Sequence, residues 1–353
     1  MPCVNPFAGI NTAQLGAVRL MEVCGTHTMA IARAGIKRIL PKDVTLISGP
    51  GCPVCVTPPE VIDTILALSS KKGVTIATYG DMLRVPGSRR GDNLARRRAL
   101  GASVETVFSA MDAVDYAKSF PGREVVFLGI GFETTAPGTA AAILSAHDEG
   151  VRNFSVISVL KLVEPALRAL AQSEGFNVQG FLCPGHVASV IGEEGFAFLP
   201  RDYGLPAVIS GFEPQDIILS IRRLLAILET GRPGLENQYS RAVSRDGNPL
   251  ALAMLHQVFE PRRDIWRGLG AIDGGGLAIR PEYSAADAEK KFYLEISEVT
   301  AETPCRCGQV ITGRMQPADC PLFGETCVPE DPVGPCMVSS EGACAAAYKY
   351  QGI

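Results

Sequence analysis

The sequence predicts an α/β protein built on parallel sheets, with a separate cysteine-rich segment at its C-terminal end. Three observations predict it. Short β-rich runs alternate with helical patterns from Val18 to about Gly231. The β-rich runs are almost continuously apolar, as strands covered on both faces are. Beyond Gly231 the pattern weakens, and six of the eleven cysteines fall between Cys305 and Cys344.

The predicted strands are Val18–Val23, Val44–Ser48, Val74–Tyr79, Val125–Gly129, Phe154–Leu160, Val178–Cys183 and Ala207–Ser210. Between them lie helical patterns at Pro59–Ser70, Val104–Ser119, Pro137–Glu149, Glu164–Ser173 and Gln215–Glu229. The seven strands make one large sheet or two smaller ones, and the Gly122 region is the candidate seam. The segment Thr303–Gly342 is rich in Cys, Pro and Gly and poor in apolar residues. It cannot build much core alone, so it needs a staple such as a metal site.

Composition excludes several classes of function. The 33 basic and 37 acidic residues leave a charge of −4. That gives no general electrostatic case for nucleic acid or a membrane surface. Met1–Leu20 has one Arg and no long apolar core, so it does not read as a secretory signal. No apolar run approaches the roughly 18 residues of a membrane helix. A soluble cytoplasmic protein is expected. In a reducing compartment, eleven cysteines point to metal binding or thiol redox chemistry rather than to structural disulfides.

Five motifs carry chemistry. Cys305, Cys320, Cys327 and Cys344 are four soft thiolate donors that suit an iron–sulfur cluster or structural zinc. The only tight pair there, Cys305-Arg306-Cys307, is too close for the usual zinc knuckle. Cys307 and Cys336 are further candidates, either of which could replace a chosen ligand. Gly49-Pro50-Gly51-Cys52-Pro53-Val54-Cys55 places a Cys-x-x-Cys between a strand and a helix. A dithiol there can cycle with a disulfide, and the helix end favours thiolate; the bland alternative is a pair of buried small side chains. Glu22-Val23-Cys24-Gly25-Thr26-His27-Thr28 also ends a strand, where open α/β sheets bind ligands. Cys24 with His27 suits an activated thiolate or a metal, or else a buried Cys beside a helix cap. In Cys183-Pro184-Gly185-His186-Val187, His186 sits where an active-site imidazole or a loop-bonded His would sit. His147 and His256 lie in helical patterns and read as structural.

The fifth motif is the loop Gly129–Gly138, which lacks both the Walker pattern and a clean dinucleotide fingerprint. Its N–H groups with Thr134 and Thr135 suit a small anion, or a threonine simply caps the next helix. The stretch Arg84–Arg98 holds six arginines and one aspartate, which is either a solvated helix face or a docking surface for an acidic partner.

Taken together, these motifs resemble the HypD family of hydrogenase maturation factors almost from end to end. The resemblance is carried by Cys24–Thr28, Gly49–Cys55, Tyr79–Gly87, Gly131–Thr135, Cys183–Val187 and the tail Pro335-Cys336-Met337-Val338-Ser339-Ser340-Glu341-Gly342-Ala343-Cys344. The 14–6–16 spacing of Cys305, Cys320, Cys327 and Cys344 carries it too.

The resemblance implies two α/β domains and a third with a [4Fe–4S] cluster. One α/β domain would span 17–107 plus about 207–245 and the other 108–206. The cluster domain would comprise 1–16 and about 246–353. It implies a scaffold on which the Fe(CN)2CO unit of [NiFe]-hydrogenase is assembled with the chaperone HypC. Cyanide would come from HypE, charged by the carbamoyltransferase HypF. Cys305, Cys320, Cys327 and Cys344 would hold the cluster, and Cys52 and Cys55 would be an exchangeable dithiol, the two together forming the electron source. Cys24 would bind the iron under assembly with His186 as its neighbour, and His27 and Glu341 would rank second. Strand ends and the cluster domain are expected to meet in one cleft. The runner-up is a cluster-linked thiol–disulfide oxidoreductase acting on other proteins, and a third reading is a zinc-stapled binding protein.

Overall fold

The computed structural model describes residues 6–8, 10, 14–296 and 303–350. Eleven strands occur among them: β1 Val18–Glu22, β2 Val44–Ser48, β3 Val74–Thr78, β4 Ser103–Thr106, β5 Glu124–Gly131, β6 Phe154–Leu160, β7 Gly180–Pro184, β8 Ala207–Ser210, β9 Leu235–Asn237, β10 Phe259–Trp266 and β11 Gly270–Ile279. They form three sheets. The first has the order β2-β1-β7-β8-β9, the second β4-β3-β5-β6, and the third is the antiparallel hairpin β10-β11. All pairings in the first two sheets are parallel.

The α/β class with parallel sheets and a cysteine-rich end is as expected. The allocation of strands is not. β3 and β4, expected in the unit 17–107, pair with β5 and β6. β7, expected in the unit 108–206, pairs with β1 and β8. Apolar alternation marks a strand, but parallel neighbours are separated by whole crossovers, so the pattern does not say which strands pair. Gly122 is no seam either, since the helix before it (Ala110–Ser119) and β5 after it belong to one layered unit.

The expected helix Val104–Ser119 is two elements. Its first part is β4, and Ser109 then starts the helix through a reciprocal capping box with Asp112. Helix Pro214–Thr230 has a Pro in its first turn and Gly231 at φ 64° after its end. Its Ile217, Ile221, Leu224 and Leu225 form a helical-period stripe on the first sheet. Each contributes about 1.5–3 kcal/mol by leaving water.

The hairpin β10-β11 escaped the sequence reading. It leans on the end of β6, where Lys161 is fully buried. Lys161 Nζ bonds Asp264 at 2.7 Å and the Ile265 carbonyl at 2.8 Å. The terminal helix Ala343–Tyr350 packs on helix Gly25–Arg33, which brings the cysteine-rich end to the first sheet. Residues 1–5, 9 and 11–13 of the N-terminal stretch lie outside the described residues. Within that stretch Phe7 is buried in the hydrophobic cluster of the first sheet that also holds Ile217 and Leu224. No helix among the described residues is long and apolar enough to cross a membrane.

Candidate metallocentre-assembly site

Each parallel sheet has a point where the strand order reverses. In the first it lies between β1 and β7, in the second between β3 and β5. Such switch points leave a crevice at the carboxyl ends of the strands, where ligands bind. Here both switch points open onto one cavity of about 270 Å³. Cys24 and Thr26 follow β1, and Pro184 and His186 lie at the end of β7. Tyr79, Asp81 and Met82 follow β3, while Gly131, Phe132, Thr134 and Thr135 end β5. Gly51, Pro53 and Val54 follow β2, and Ser339, Ser340 and Glu341 come from the C-terminal tail. Strand ends and tail thus converge as the motifs suggested.

Cys24 is 8% exposed. Burial, with the Glu341 charge adding to it, pushes its thiol up to about 12. Backbone approaches with no room for a side chain hold it in place. A Cβ on Gly51 would meet the Cys24 nitrogen, and one on Gly25 would meet Glu341 Cβ. Beneath Cys24 is a carboxylate that the sequence reading quoted without giving it a role. Glu22 accepts from the Cys24 N–H at 3.2 Å and from the Thr28 hydroxyl at 2.5 Å. Burial pushes it up to about 7. Glu133, in the loop after β5, is likewise buried and pushed up to about 7, and accepts from the Val163 N–H at 2.9 Å. A lone carboxylate in an apolar strand-end run was the available signal in both places.

His186 is exposed in the cavity, its ring stacked on Phe212 with centroids 3.8 Å apart. Burial of part of the ring lowers its pKa. His27 lies on Phe212 as well, 4.6 Å between centroids. It does not reach the cavity. It is fully buried, bonds the Gly211 carbonyl through Nε2 at 2.9 Å, and burial pushes it down to about 4. His27 therefore supports the wall as a neutral ring, and Phe212, which the sequence reading missed, sets the position of His186.

Glu341 does line the cavity and accepts from the Thr26 hydroxyl at 2.9 Å. Its neighbour Ser340 donates to Asp81 from both N–H (2.9 Å) and hydroxyl (2.5 Å). The tail thus ties the end of β1 to the end of β3. Thr135 occupies the helix N-cap, but its hydroxyl makes no capping bond. It reaches back to the Phe132 carbonyl at 3.2 Å instead.

Cys52 and Cys55 are joined by a disulfide, with Cα atoms 5.2 Å apart. They are 4% and 0% exposed and do not line the cavity themselves, but their neighbours Gly51, Pro53, Val54 and Ser339 do. The short helix Pro53–Val56 packs against both Cys307–Ile311 and Pro335–Met337. These two elements flank a second cavity, lined by Cys305, Cys307, Cys320, Cys327, Cys336 and Cys344. Val310, Leu322, Phe323, Val333 and Met337, with Arg306 and Gly334, complete its walls.

Cys305, Cys307, Cys336 and Cys344 are free thiols that crowd one another along this cavity. The neighbouring Cys307 thiol, with burial behind it, pushes the Cys305 thiol well above its ordinary range. The Val333 N–H approaches Cys327 Sγ at 3.3 Å, and the Cys307 N–H approaches Cys305 Sγ at 3.4 Å. Among the described residues, no three His, Cys, Asp or Glu side chains are grouped to hold one metal ion. The donor set is soft sulfur in a mostly apolar shell, Arg306 excepted, with N–H groups aimed at two of the sulfurs. That chemistry fits an iron–sulfur cluster.

The basic stretch has a structural job. Arg84 bonds the Pro329 carbonyl. Arg90 bonds Thr326 O at 2.9 Å and Asp331 at 2.6 Å. These arginines clamp the segment on either side of Cys327, from Thr326 to Asp331. Cys183 is fully buried and reaches neither cavity.

Comparison with known proteins agrees with this geometry. Residues 7–351 match the HypD family, described as the hydrogenase formation hypA family. The hydrogenase maturation factor HypD of Rhodobacter capsulatus is 45% identical over 349 residues, covering 96% of this chain and 92% of that protein. That of Azotobacter vinelandii is 46% identical over 338 residues, covering 94% and 89%. That of Escherichia coli is 43% identical over 335 residues, covering 95% and 89%. With a match that spans nearly the whole chain and every strand-end motif gathered in one cavity, this chain belongs to the HypD family of hydrogenase maturation factors.

Proposed function

We propose that this protein is the scaffold on which the Fe(CN)2CO unit of [NiFe]-hydrogenase is assembled, in complex with a HypC-type chaperone. Cyanide arrives from HypE, charged by HypF. The observation that carries the reading is the convergence of Cys24, His186, Glu341 and the Gly131–Thr135 loop in one cavity beside the Cys52–Cys55 disulfide. The cytoplasmic location expected from the sequence goes with it.

Cys24 is the soft ligand for the incoming iron. Its thiol is held protonated by burial. An arriving cation reverses that preference, because a charge at the sulfur favours the thiolate. The displaced proton passes to Glu341, whose carboxylate shares the cavity and whose proton affinity is raised by burial. His186 offers a neutral ring nitrogen held in place by Phe212. The N–H groups and Thr134 hydroxyl of the loop after β5 receive a small anion. Cys305, Cys320, Cys327 and Cys344 would hold a [4Fe–4S] cluster supplying one-electron equivalents, while the Cys52/Cys55 pair exchanges two electrons between dithiol and disulfide.

The oxidoreductase reading needs a sulfur that a protein substrate can attack. At 4% and 0% exposure, neither Cys52 nor Cys55 is presented to one. Their burial favours chemistry confined to the scaffold.

Anaerobic purification with iron and sulfide analysis, and infrared spectra after co-expression with the HypC partner, test the proposal. About four irons per chain are expected, with cyanide and carbonyl bands that vanish in Cys24→Ala. A cluster without those bands, still reducing disulfides of other proteins, would move the function to the oxidoreductase. Zinc without iron would overturn it.

A further inference from the structure

The tail segment Ser339–Glu341 touches three different parts of the site. Ser340 is bonded to Asp81 and Glu341 to Thr26. Ser339 is 1% exposed, and its hydroxyl lies 3.4 Å from Cys52 Sγ. The Ser339 oxygen already accepts from the Glu341 N–H at 3.2 Å. Cys52, being disulfide-bonded, carries no hydrogen, so in this contact the Ser339 hydroxyl is the donor and the sulfur the acceptor. A second donor, the Cys55 N–H, meets the same sulfur at 3.1 Å. Among the described residues no donor reaches Cys55 Sγ. The two sulfurs of one disulfide thus sit in unequal surroundings: one part of the inequality is local, from the Cys55 N–H, and the other comes from a residue 287 positions away in the chain.

We propose that Ser339 is a positioning residue for the dithiol chemistry, selecting Cys52 as the sulfur that carries negative charge on reduction. The inference rests on the reading of Cys52 and Cys55 as an exchangeable pair. A dithiol reductant supplies two electrons and becomes its own disulfide. The Cys52–Cys55 bond breaks. Cys55 takes one proton and becomes a thiol, Cys52 remains a thiolate, and the reductant's second proton goes to solvent. A thiolate is a far stronger acceptor than a disulfide sulfur, so the Ser339 hydroxyl stabilises the reduced form selectively. Because Ser339 lies between Cys336 and Cys344, the segment that lines the cysteine-rich cavity also sets this preference.

The test uses the full-length, anaerobically purified protein, equilibrated with dithiothreitol redox buffers at mildly alkaline pH. Thiols are trapped under denaturing conditions and counted at Cys52 and Cys55 by peptide mass spectrometry. Ser339→Ala is expected to shift the equilibrium about tenfold toward the disulfide, equivalent to about 30 mV for this two-electron couple. Ser339→Thr keeps the hydroxyl and is expected to stay within about threefold of the parent, about 14 mV on the same relation. Thermal melting of the oxidised forms checks that both variants are folded. Equal potentials for parent and Ser339→Ala would overturn the role of Ser339 while leaving the exchangeable pair intact. Equal losses in the Ala and Thr variants would make the effect one of packing and also overturn it. If the parent disulfide resists reduction short of unfolding, the dithiol reading fails and this inference with it.

Discussion

Three ionisable side chains in this molecule are held neutral by burial for three different purposes. Cys24 is a thiol that burial at the end of β1 pushes up to about 12. His27 is a neutral ring that props Phe212. Glu133 is a carboxyl placed under a strand-end loop. Glu133 allows a clean test in solution. Burial raises it from the ordinary 4.5 to about 7. Below pH 4.5 it is protonated in the folded and unfolded chain alike, and its contribution is fully present. Between pH 4.5 and 7 the unfolded chain releases a proton that the fold retains, so stability falls as pH rises, by about 3 kcal/mol in all. Above pH 7 both states are ionised and the curve is flat. Glu22 pulls in the same direction. Glu133→Gln should therefore flatten, but not abolish, the decline of the urea midpoint across this window. An unchanged slope would mean that Glu133 is solvated.

Among elements, the hairpin β10-β11 is pinned to the second sheet by a buried charge. Lys161, immediately after β6, has no exposure, and its partner Asp264 is 15% exposed. Removing one member of such a pair strands the other, at a cost of about 3–5 kcal/mol. Asp264→Asn should lower the urea midpoint accordingly. Lys161→Met combined with Asp264→Leu should recover most of the loss. A surface-like effect below 1 kcal/mol would show the pair to be solvated.

The cysteine-rich segment gives a second test. Cys305→Ser, Cys320→Ser, Cys327→Ser and Cys344→Ser are each expected to cut bound iron and sulfide by more than half. Cys307→Ser and Cys336→Ser should retain them. Loss in Cys307→Ser with retention in Cys320→Ser would reassign a ligand, which the thiol contacts running from Cys305 through Cys307 and Cys336 to Cys344 make a pointed comparison.

For the molecule as a whole, the arrangement of two parallel sheets with facing switch points explains why one cavity can gather so many short motifs. Each strand end contributes only a few residues. Two sheets double the number of ends, and the tail closes the remaining side through Asp81 and Thr26. The infrared signature lost in Cys24→Ala is a prediction about this assembly as a unit, because the cavity exists only when both sheets and the tail are in place.

Much of this was legible along the chain. Strands such as Val44–Ser48, Phe154–Leu160 and Ala207–Ser210 follow from apolar runs bounded by turns, and much of the cavity lining follows from strand-end motifs containing Cys, His and Gly. Local pattern suffices for these because strand propensity and loop chemistry act over a few residues. Sheet membership, the burial of His27 and the roles of Phe212, Ser339 and Lys161 were not legible. They depend on contacts between residues far apart in sequence, such as Ser339 with Cys52 or Lys161 with Asp264. Hydrophobic burial drives those parts together without leaving any local mark of which partner each will meet.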